Sequence, residues 1–290
     1  MIVKIRDFTY GVINLLISFL RIIILSRFTI RLPEKQAIAD DTCLILANGP
    51  SLNQSLQNDL HFMLKHKIIA VNNFVYSHYY EQLKPSYYIL NPPEYFVENG
   101  PTPAHGEIRE RLYRGLVTKT TWPMYVFVPM IAAKTDFWKV RLAQNKNLKI
   151  VYYNTTPVEG WFPIVKYLFK WNLGMARPHN VLIPSIFVAL NMGFKKLFVF
   201  GADHSWHEEL KISEDNRMMV NHEHFYDQAK QVGAMHKLDG QEYKMHDVLR
   251  KLYLSFKAYY VILDYAHSLK AEIYNASAKS YIDAFLRVKV

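Results

Sequence analysis

The sequence predicts an α/β domain with a mainly parallel, Rossmann-like sheet covered by helices on both faces, and three observations carry that expectation. Short apolar runs of strand length alternate along the chain with helical stretches. Those runs are continuously apolar instead of alternating, as strands covered on both faces require. Several are followed at once by Asn, Gly, Pro or Asp, residues that turn a chain sharply.

The elements follow in order. Residues 42–47 (TCLILA) read as a buried strand, followed by the turn NGPS and a helical pattern to about residue 65. Lys67–Val71 (KIIAV) is a second strand and residues 86–90 (SYYIL) a third; 124–128 and 149–153 are further candidates. Residues 184–192 form a helix opened by Pro184, whose missing N–H is not needed in a first turn. Lys196–Phe200 (KLFVF) is the next strand, residues 247–269 a long helix, and Glu272–Asn275 the closing strand. One domain is expected over residues 37–290, with a polar lid at about 204–246, behind a separate amino-terminal segment of residues 1–36.

Composition narrows the function. With 290 residues, 50% of them hydrophobic and 14% aromatic, the chain has material for a sizeable core, which excludes low-complexity disorder. The single cysteine, Cys43, excludes an internal disulfide and a Cys-ligated zinc site, and fits a reducing compartment. The balance of 35 Lys+Arg against 25 Asp+Glu gives a net charge of +10 and points to an acidic partner: nucleic acid, an anionic membrane or a phosphorylated substrate. Nucleic acid is set aside, because the charge is dispersed and no recognition motif is present.

Phe8–Leu25 (FTYGVINLLISFLRIIIL) is an apolar run whose only charge is Arg21, and it lacks the small-residue cleavage site of a signal peptide. Lys4, Asp7, Gly11, Asn14, Ser18 and Arg21 follow at steps of three or four, one narrow polar stripe on an otherwise apolar helix. Lys4 and Arg6 precede it, Arg27 and Arg31 follow it, and Pro33 ends the segment before a polar linker. The arc is too wide for one-sided packing, so residues 4–31 are expected to meet an anionic membrane surface, peripherally or monotopically. A true span, or packing on the domain or in a homo-oligomer, are the alternatives.

In parallel sheets, ligands bind beyond the carboxyl ends of strands. The residues there are Asn48-Gly49-Pro50-Ser51 after the first strand, Asn72-Asn73 after the second, Asn91-Pro92-Pro93 after the third and Gly201-Ala202-Asp203-His204-Ser205 after the sixth. Gly49 permits a tight turn, and Ser51 is placed to cap the next helix, whose free N–H groups favour an anion. Amide side chains both donate and accept, which suits phosphate, ribose or a base edge.

Together, LILANGPSLNQSL, VNNF, LNPPEYF, MGFKKLFVFGADHSW and IYNASAKS resemble the bacterial sialyltransferases of glycosyltransferase family 42, in patches and in order over residues 42–290. An NGPSL-type turn is also found in the archaeal 6-hydroxymethylpterin diphosphokinase-like family. The resemblance implies a Rossmann-like transferase with a mobile lid, a CMP-activated acidic sugar as donor, no required metal or cofactor, and a histidine base. It implies that Asn48, Gly49, Pro50 and Ser51 touch the donor phosphate and ribose, that Asn72 and Asn91 approach phosphate or sugar, and that Asp203 stands at the lid's entry. Where the family has a glycine, this chain has Ala47. Where it has a base-reading Thr-Ser-Gly turn, the chain has Asn180-Val181-Leu182, with Ser185 the nearest substitute. Ser205-Trp206 stand in place of its first lid tyrosine.

The segment from His204 to His246 holds six histidines, at 204, 207, 222, 224, 236 and 246. A lid with one catalytic histidine is favoured over a metal site at His222-Glu223-His224, since no pair has the i, i+4 spacing of a helical metal motif. By topology the base falls at the start of the long helix, on His246, with His224 and His204 as alternatives; counting back from IYNAS lands on Tyr253 instead. The expected protein is a metal-independent glycosyltransferase on the cytoplasmic face of the inner membrane, acting on a surface-glycan or lipid-linked acceptor in lipopolysaccharide or capsule synthesis. The alternatives are a diphosphokinase-like nucleotide enzyme and a non-catalytic membrane-bound nucleotide scaffold.

Overall fold

The computed structural model describes residues 2–33, 41–98, 103–222, 231–234 and 241–290. The chain opens with α1 (Ile2–Leu25), then runs β1 (Thr42–Leu46), α2 (Leu52–Asn58), α3 (Leu60–Met63), β2 (Lys67–Val71), α4 (Tyr80–Leu83) and β3 (Tyr87–Ile89). It continues through α5 (Pro103–Lys119), β4 (Met124–Pro129), α6 (Phe137–Leu142), β5 (Leu148–Tyr153), α7 (Phe162–Lys170), α8 (Leu182–Asn191) and β6 (Lys196–Phe200). Three short strands follow, β7 (Leu210–Ile212), β8 (Met218–His222) and β9 (Gln231–Ala234), before α9 (Met245–Ser268), β10 (Glu272–Asn275) and β11 (Leu286–Arg287).

Eight strands form one sheet in the order β11-β10-β6-β1-β2-β3-β4-β5, and each neighbouring pair is parallel. The chain steps outward from β1 to β5, then returns to lay β6 on the other side of β1. The order reverses there, so the crevice of this α/β sheet opens at the carboxyl ends of β1 and β6.

Alternate residues of the strands enter two separate cores. Ile45, Ile69, Ile89, Phe127 and Val199 pack with α7, α8 and α9 on one face; Leu46, Ala70, Leu90, Val126 and Phe200 pack with α2 to α6 on the other. That two-sided burial is why the strands read as unbroken apolar runs. Cys43 is buried in β1 as a free thiol.

Three sequence expectations change. α8 is opened by Asn180, not by Pro184: the Asn180 Oδ1 accepts from the N–H groups of Leu182 and Ile183, at 3.0 and 3.3 Å. The helix after NGPS breaks at Asp59 into α2 and α3. The amino-terminal helix ends at Leu25, well before Pro33. Within the expected lid, β7, β8 and β9 form an antiparallel sheet that rests on the start of α9, where Met218, Val248, Leu252 and Met245 make a small apolar cluster.

Phe8–Leu25 is long and apolar enough to cross a membrane. From Gly11 to Arg21 its polar stripe nevertheless faces the protein. The Ser18 hydroxyl donates to the Glu159 carbonyl and accepts from the Glu159 N–H, at 2.8 and 2.9 Å. Arg21 lies 3.6 Å from the Glu159 carboxylate, and Leu15 and Ile22 fill the core on either side of Ser18.

Candidate functional site

The crevice floor is built from two turns sewn together. The Ala47 N–H donates to the Phe200 carbonyl at 2.9 Å and the Gly49 N–H to the Gly201 carbonyl at 2.8 Å, so the β1–β6 pairing runs on into the turns. Close approach is what demands glycine at 49: a Cβ there would sit 2.4 Å from Asp203 Oδ1 and 2.6 Å from the Gly201 carbonyl oxygen. Gly201 turns the chain with a φ of 64°, a left-handed conformation natural to glycine.

Ser51 departs from the expected role. It makes no side-chain cap; its N–H and its hydroxyl both donate to the Asp203 carboxylate, at 2.9 and 2.5 Å. The anion at the start of α2 is therefore Asp203 itself. Burial pushes the Asp203 carboxyl above its ordinary range, against the hydrogen bonds from Ser51. The segment after β10 closes the same floor: Ser280 Oγ donates to the Ala202 carbonyl at 2.6 Å and the Tyr281 N–H to the Asp203 carbonyl at 2.9 Å.

Asn48 sits in this seam with its Oδ1 buried and without a hydrogen-bond partner among the described residues. Asn72 and Asn91 line up along the neighbouring strand ends. Asn72 is left-handed, with a φ of 47°, and its Oδ1 accepts from the Asn91 N–H at 3.3 Å. The Asn91 Oδ1 accepts from the Tyr153 hydroxyl at 3.1 Å. Both oxygens are thus used in holding the strand ends together, and the amide NH₂ groups are what these residues can offer a ligand.

His204 is a core histidine. It is buried, its Nε2 meets the Tyr259 hydroxyl at 2.5 Å, and burial pushes its pKa down to about 3. Tyr259 in turn donates to Asn180 Oδ1 at 3.2 Å, which links the turn after β6 to the start of α8. The Asn180 Nδ2 is the second buried polar atom near the crevice without a partner among the described residues. Ser185 is fully buried, its hydroxyl donating to the Val181 carbonyl at 2.7 Å, so it presents no surface to a ligand. Ser205 is half-buried at the start of the helical turn 206–209, and its carbonyl accepts from the Glu208 N–H at 2.9 Å.

His246 lies in the first turn of α9 with its side chain 82% exposed. Thirteen residues separate it from Tyr259, about 20 Å along the helix axis, so it stands above the crevice floor beside the antiparallel sheet. Tyr253 is likewise exposed on α9. His224 lies outside the described residues, as does the linker 34–40. Among the described residues no group of three His, Cys, Asp or Glu side chains is placed to hold a metal ion.

No protein-family model matches the chain, and no curated protein matches it. Among solved structures it is similar to the MAf glycosyltransferase from Magnetospirillum magneticum AMB-1, at 13% identity and a TM-score of 0.47. The likeness covers 89% of this chain, which spans 35% of that protein's length.

The crevice wall contains residues that sequence reasoning passed over. Arg177 makes a bidentate pair with Glu159, 2.8 Å on each arm, and that pair holds the Glu159 carboxyl below its usual range. Next to it, His179 has its pKa pushed down by burial and by Arg177, Lys251 and Arg250. Its place beside Asn180, in the loop that opens α8, was signalled only by the Asn180-Val181-Leu182 alignment. Nothing in local spacing separates His179 from an ordinary loop histidine.

Proposed function

We propose that this chain is a glycosyltransferase that holds a nucleotide-activated sugar, a CMP-linked acidic sugar in the first instance, at the β1/β6 switch point. The observation that carries the reading is the buried Asn48 Oδ1 in the seam between the two turns, which has no partner among the described residues. Buried acceptors are nearly always paired, so one left open at the ligand-binding end of an α/β sheet calls for a donor from a ligand, such as a ribose hydroxyl or a base amine. The NH₂ groups of Asn72, Asn91 and Asn180 serve the phosphate and the sugar. Arg250 and Lys251, which act on His179 across the crevice wall, favour an acidic sugar. The short motifs shared with sialyltransferases support CMP as the nucleotide.

Ser51 and Asp203 are assigned a shaping role. Their mutual bonding holds the seam at the spacing that Asn48 needs. In the transfer, the bond from the anomeric carbon to phosphate breaks, the acceptor oxygen bonds to that carbon, and the nucleotide leaves with the electron pair. The acceptor proton goes to a neutral imidazole. His179 suits this best, because its lowered pKa leaves it unprotonated near pH 7 and it stands in the crevice wall. His246 takes the role only if the start of α9 and the small sheet close over the donor. The acceptor is a surface glycan or a lipid-linked precursor, and no metal takes part.

Incubating the full chain with CMP-linked acidic sugars, UDP-sugars and ATP, and measuring the nucleotide released, tests this reading. Release of CMP is expected, with water as acceptor. Conversion of ATP to AMP with a diphosphorylated product would replace it by the diphosphokinase reading. Silence across the panel, with no nucleotide bound, would leave a non-catalytic scaffold.

A further inference from the structure

α1 is amphipathic in an inverted sense. From Gly11 to Arg21 its polar stripe is spent on the protein, and its apolar arc faces outward. Phe8, Leu16, Leu20, Ile23 and Ile24 are between 60% and 77% exposed, and Phe28, just past the helix, is 62% exposed. A water-exposed helix face of this composition is too large to be an incidental patch.

The helix is also fastened along its length, not at one end. Gly11 passes close to the Trp161 backbone, with 3.9 Å left for a Cβ. Ser18 and Arg21 hold Glu159. Ser26 donates to the Leu173 carbonyl at 2.6 Å, and Arg27 exchanges backbone contacts with the Asn154 amide, at 2.9 and 3.0 Å. Gly11 to Leu25 is about 21 Å of helix, and the contacts from Gly11 to Arg27 fall on residues 154–173, the segment that leaves β5. α1 and the turn after it thus meet the residues on both sides of α7, Trp161 before it and Leu173 after it. Tyr167 on α7 and Trp161 and Trp171 at its two ends are also exposed.

We infer that α1 and α7 form a monotopic membrane-docking face, on which α1 lies in the plane of the lipid interface and does not cross it. A crossing would need the helix to leave its contacts with Glu159, Thr156 and Asn154. The occupant is an anionic lipid surface, by charge complementarity: Arg27 and Arg31 are exposed in the segment that follows α1, and Lys166 and Lys170 lie on α7. Tryptophan and tyrosine with an apolar body and a polar tip are the side chains that settle at the headgroup level. Arg21 of α1 and Arg177 of the crevice wall share Glu159, so the docking face and the crevice are neighbours. If the transferase reading holds, a lipid-anchored acceptor is thereby brought to the site. The docking itself does not rest on that reading.

The test uses the full chain and vesicles of phosphatidylcholine with or without phosphatidylglycerol. Flotation with the anionic vesicles is expected. Leu20→Asp and Ile24→Asp should each weaken it by roughly tenfold or more, with thermal unfolding unchanged because both side chains are exposed. An environment-sensitive fluorophore is then placed on Phe8→Cys, Leu16→Cys or Ile24→Cys; Cys43 is buried and stays unlabelled. Lipids brominated at different depths should quench all three positions at one shallow depth. Deep quenching at 16 with shallow quenching at 8 and 24 would mean a span and overturn the inference. So would failure to float, together with a dimer in light scattering that Ile24→Asp dissolves, which would assign the face to a second copy of this chain.

Discussion

Ser51 gives both its backbone N–H and its hydroxyl to the carboxylate of Asp203, at 2.9 and 2.5 Å, and so ties the turn after β1 to the turn after β6. The two residues come from the two motifs that made the sequence look like a nucleotide-sugar enzyme. They meet, but they satisfy each other. Asp203→Ala should therefore act on stability first, by about 1–3 kcal/mol, because it strands the Ser51 N–H. Asp203→Asn, which keeps an acceptor and adds a donor for the serine oxygen, should cost less. Urea denaturation of the two variants checks this; equal midpoints for wild type and Asp203→Ala would show that the pair does not hold the seam.

Gly49→Ala is expected to be worse tolerated than an ordinary turn substitution. Its Cβ would meet the Gly201 carbonyl oxygen at 2.6 Å, and that oxygen is backbone in a paired strand end. A loss of about 1–3 kcal/mol in denaturation is expected. A change within the noise of a surface mutation would mean that the two turns can part.

His204 should make the fold acid-sensitive. Its folded pKa, about 3, lies below the unfolded value of 6.5, so between these values the unfolded chain binds the extra proton. The stability it confers is complete above pH 6.5 and drains away as pH falls toward 3, by at most about 1.4 kcal/mol per unit. Asp203, held above its ordinary range, works in the opposite direction, so the quantity to compare is the slope in wild type against His204→Asn. Asparagine tolerates the left-handed backbone there, where φ is 54°. The variant should lose part of the acid slope between pH 6 and pH 4; identical slopes would contradict a buried neutral imidazole.

The sheet was legible because its chemistry is local. β2, β6 and β10 have the bounds expected of them, and in β2 and β6 the run after the opening lysine is apolar throughout because the sheet is covered on both faces. The strand-end asparagines and Asp203 could be named for the same reason. What they bond to could not. That Ser51 would turn to Asp203, that Tyr259 would link His204 to Asn180, and that Ser185 would face inward all depend on contacts between distant segments. The polar stripe of α1 was visible in the spacing of Gly11, Asn14, Ser18 and Arg21. Its direction was not, because a helix records its periodicity and not which side meets the protein. β7 to β9 escaped notice because they are only three to five residues long, and Leu210 and Met218 are held by packing on the start of α9.

The base can be assigned by comparing two variants. His179→Ala should lower turnover by about 10²–10⁴-fold while nucleotide affinity stays near wild type. His246→Ala, at an exposed first-turn position, should leave turnover within a few-fold of wild type if the crevice works as it stands. The reverse pattern in single-turnover assays would return the role to His246 and require closure of the small sheet over the donor.

The central claim is that the seam between β1 and β6 binds a CMP-linked sugar through Asn48, and calorimetric titration of wild type and Asn48→Ala tests it most directly. The wild type should bind the CMP-linked sugar. Asn48→Ala should bind it about tenfold more weakly, the worth of one hydrogen bond of about 1.4 kcal/mol. The same variant should lose no stability, because removing a buried acceptor that has no partner among the described residues removes a cost. Equal affinity in the two proteins, or no nucleotide bound by either, would contradict the claim.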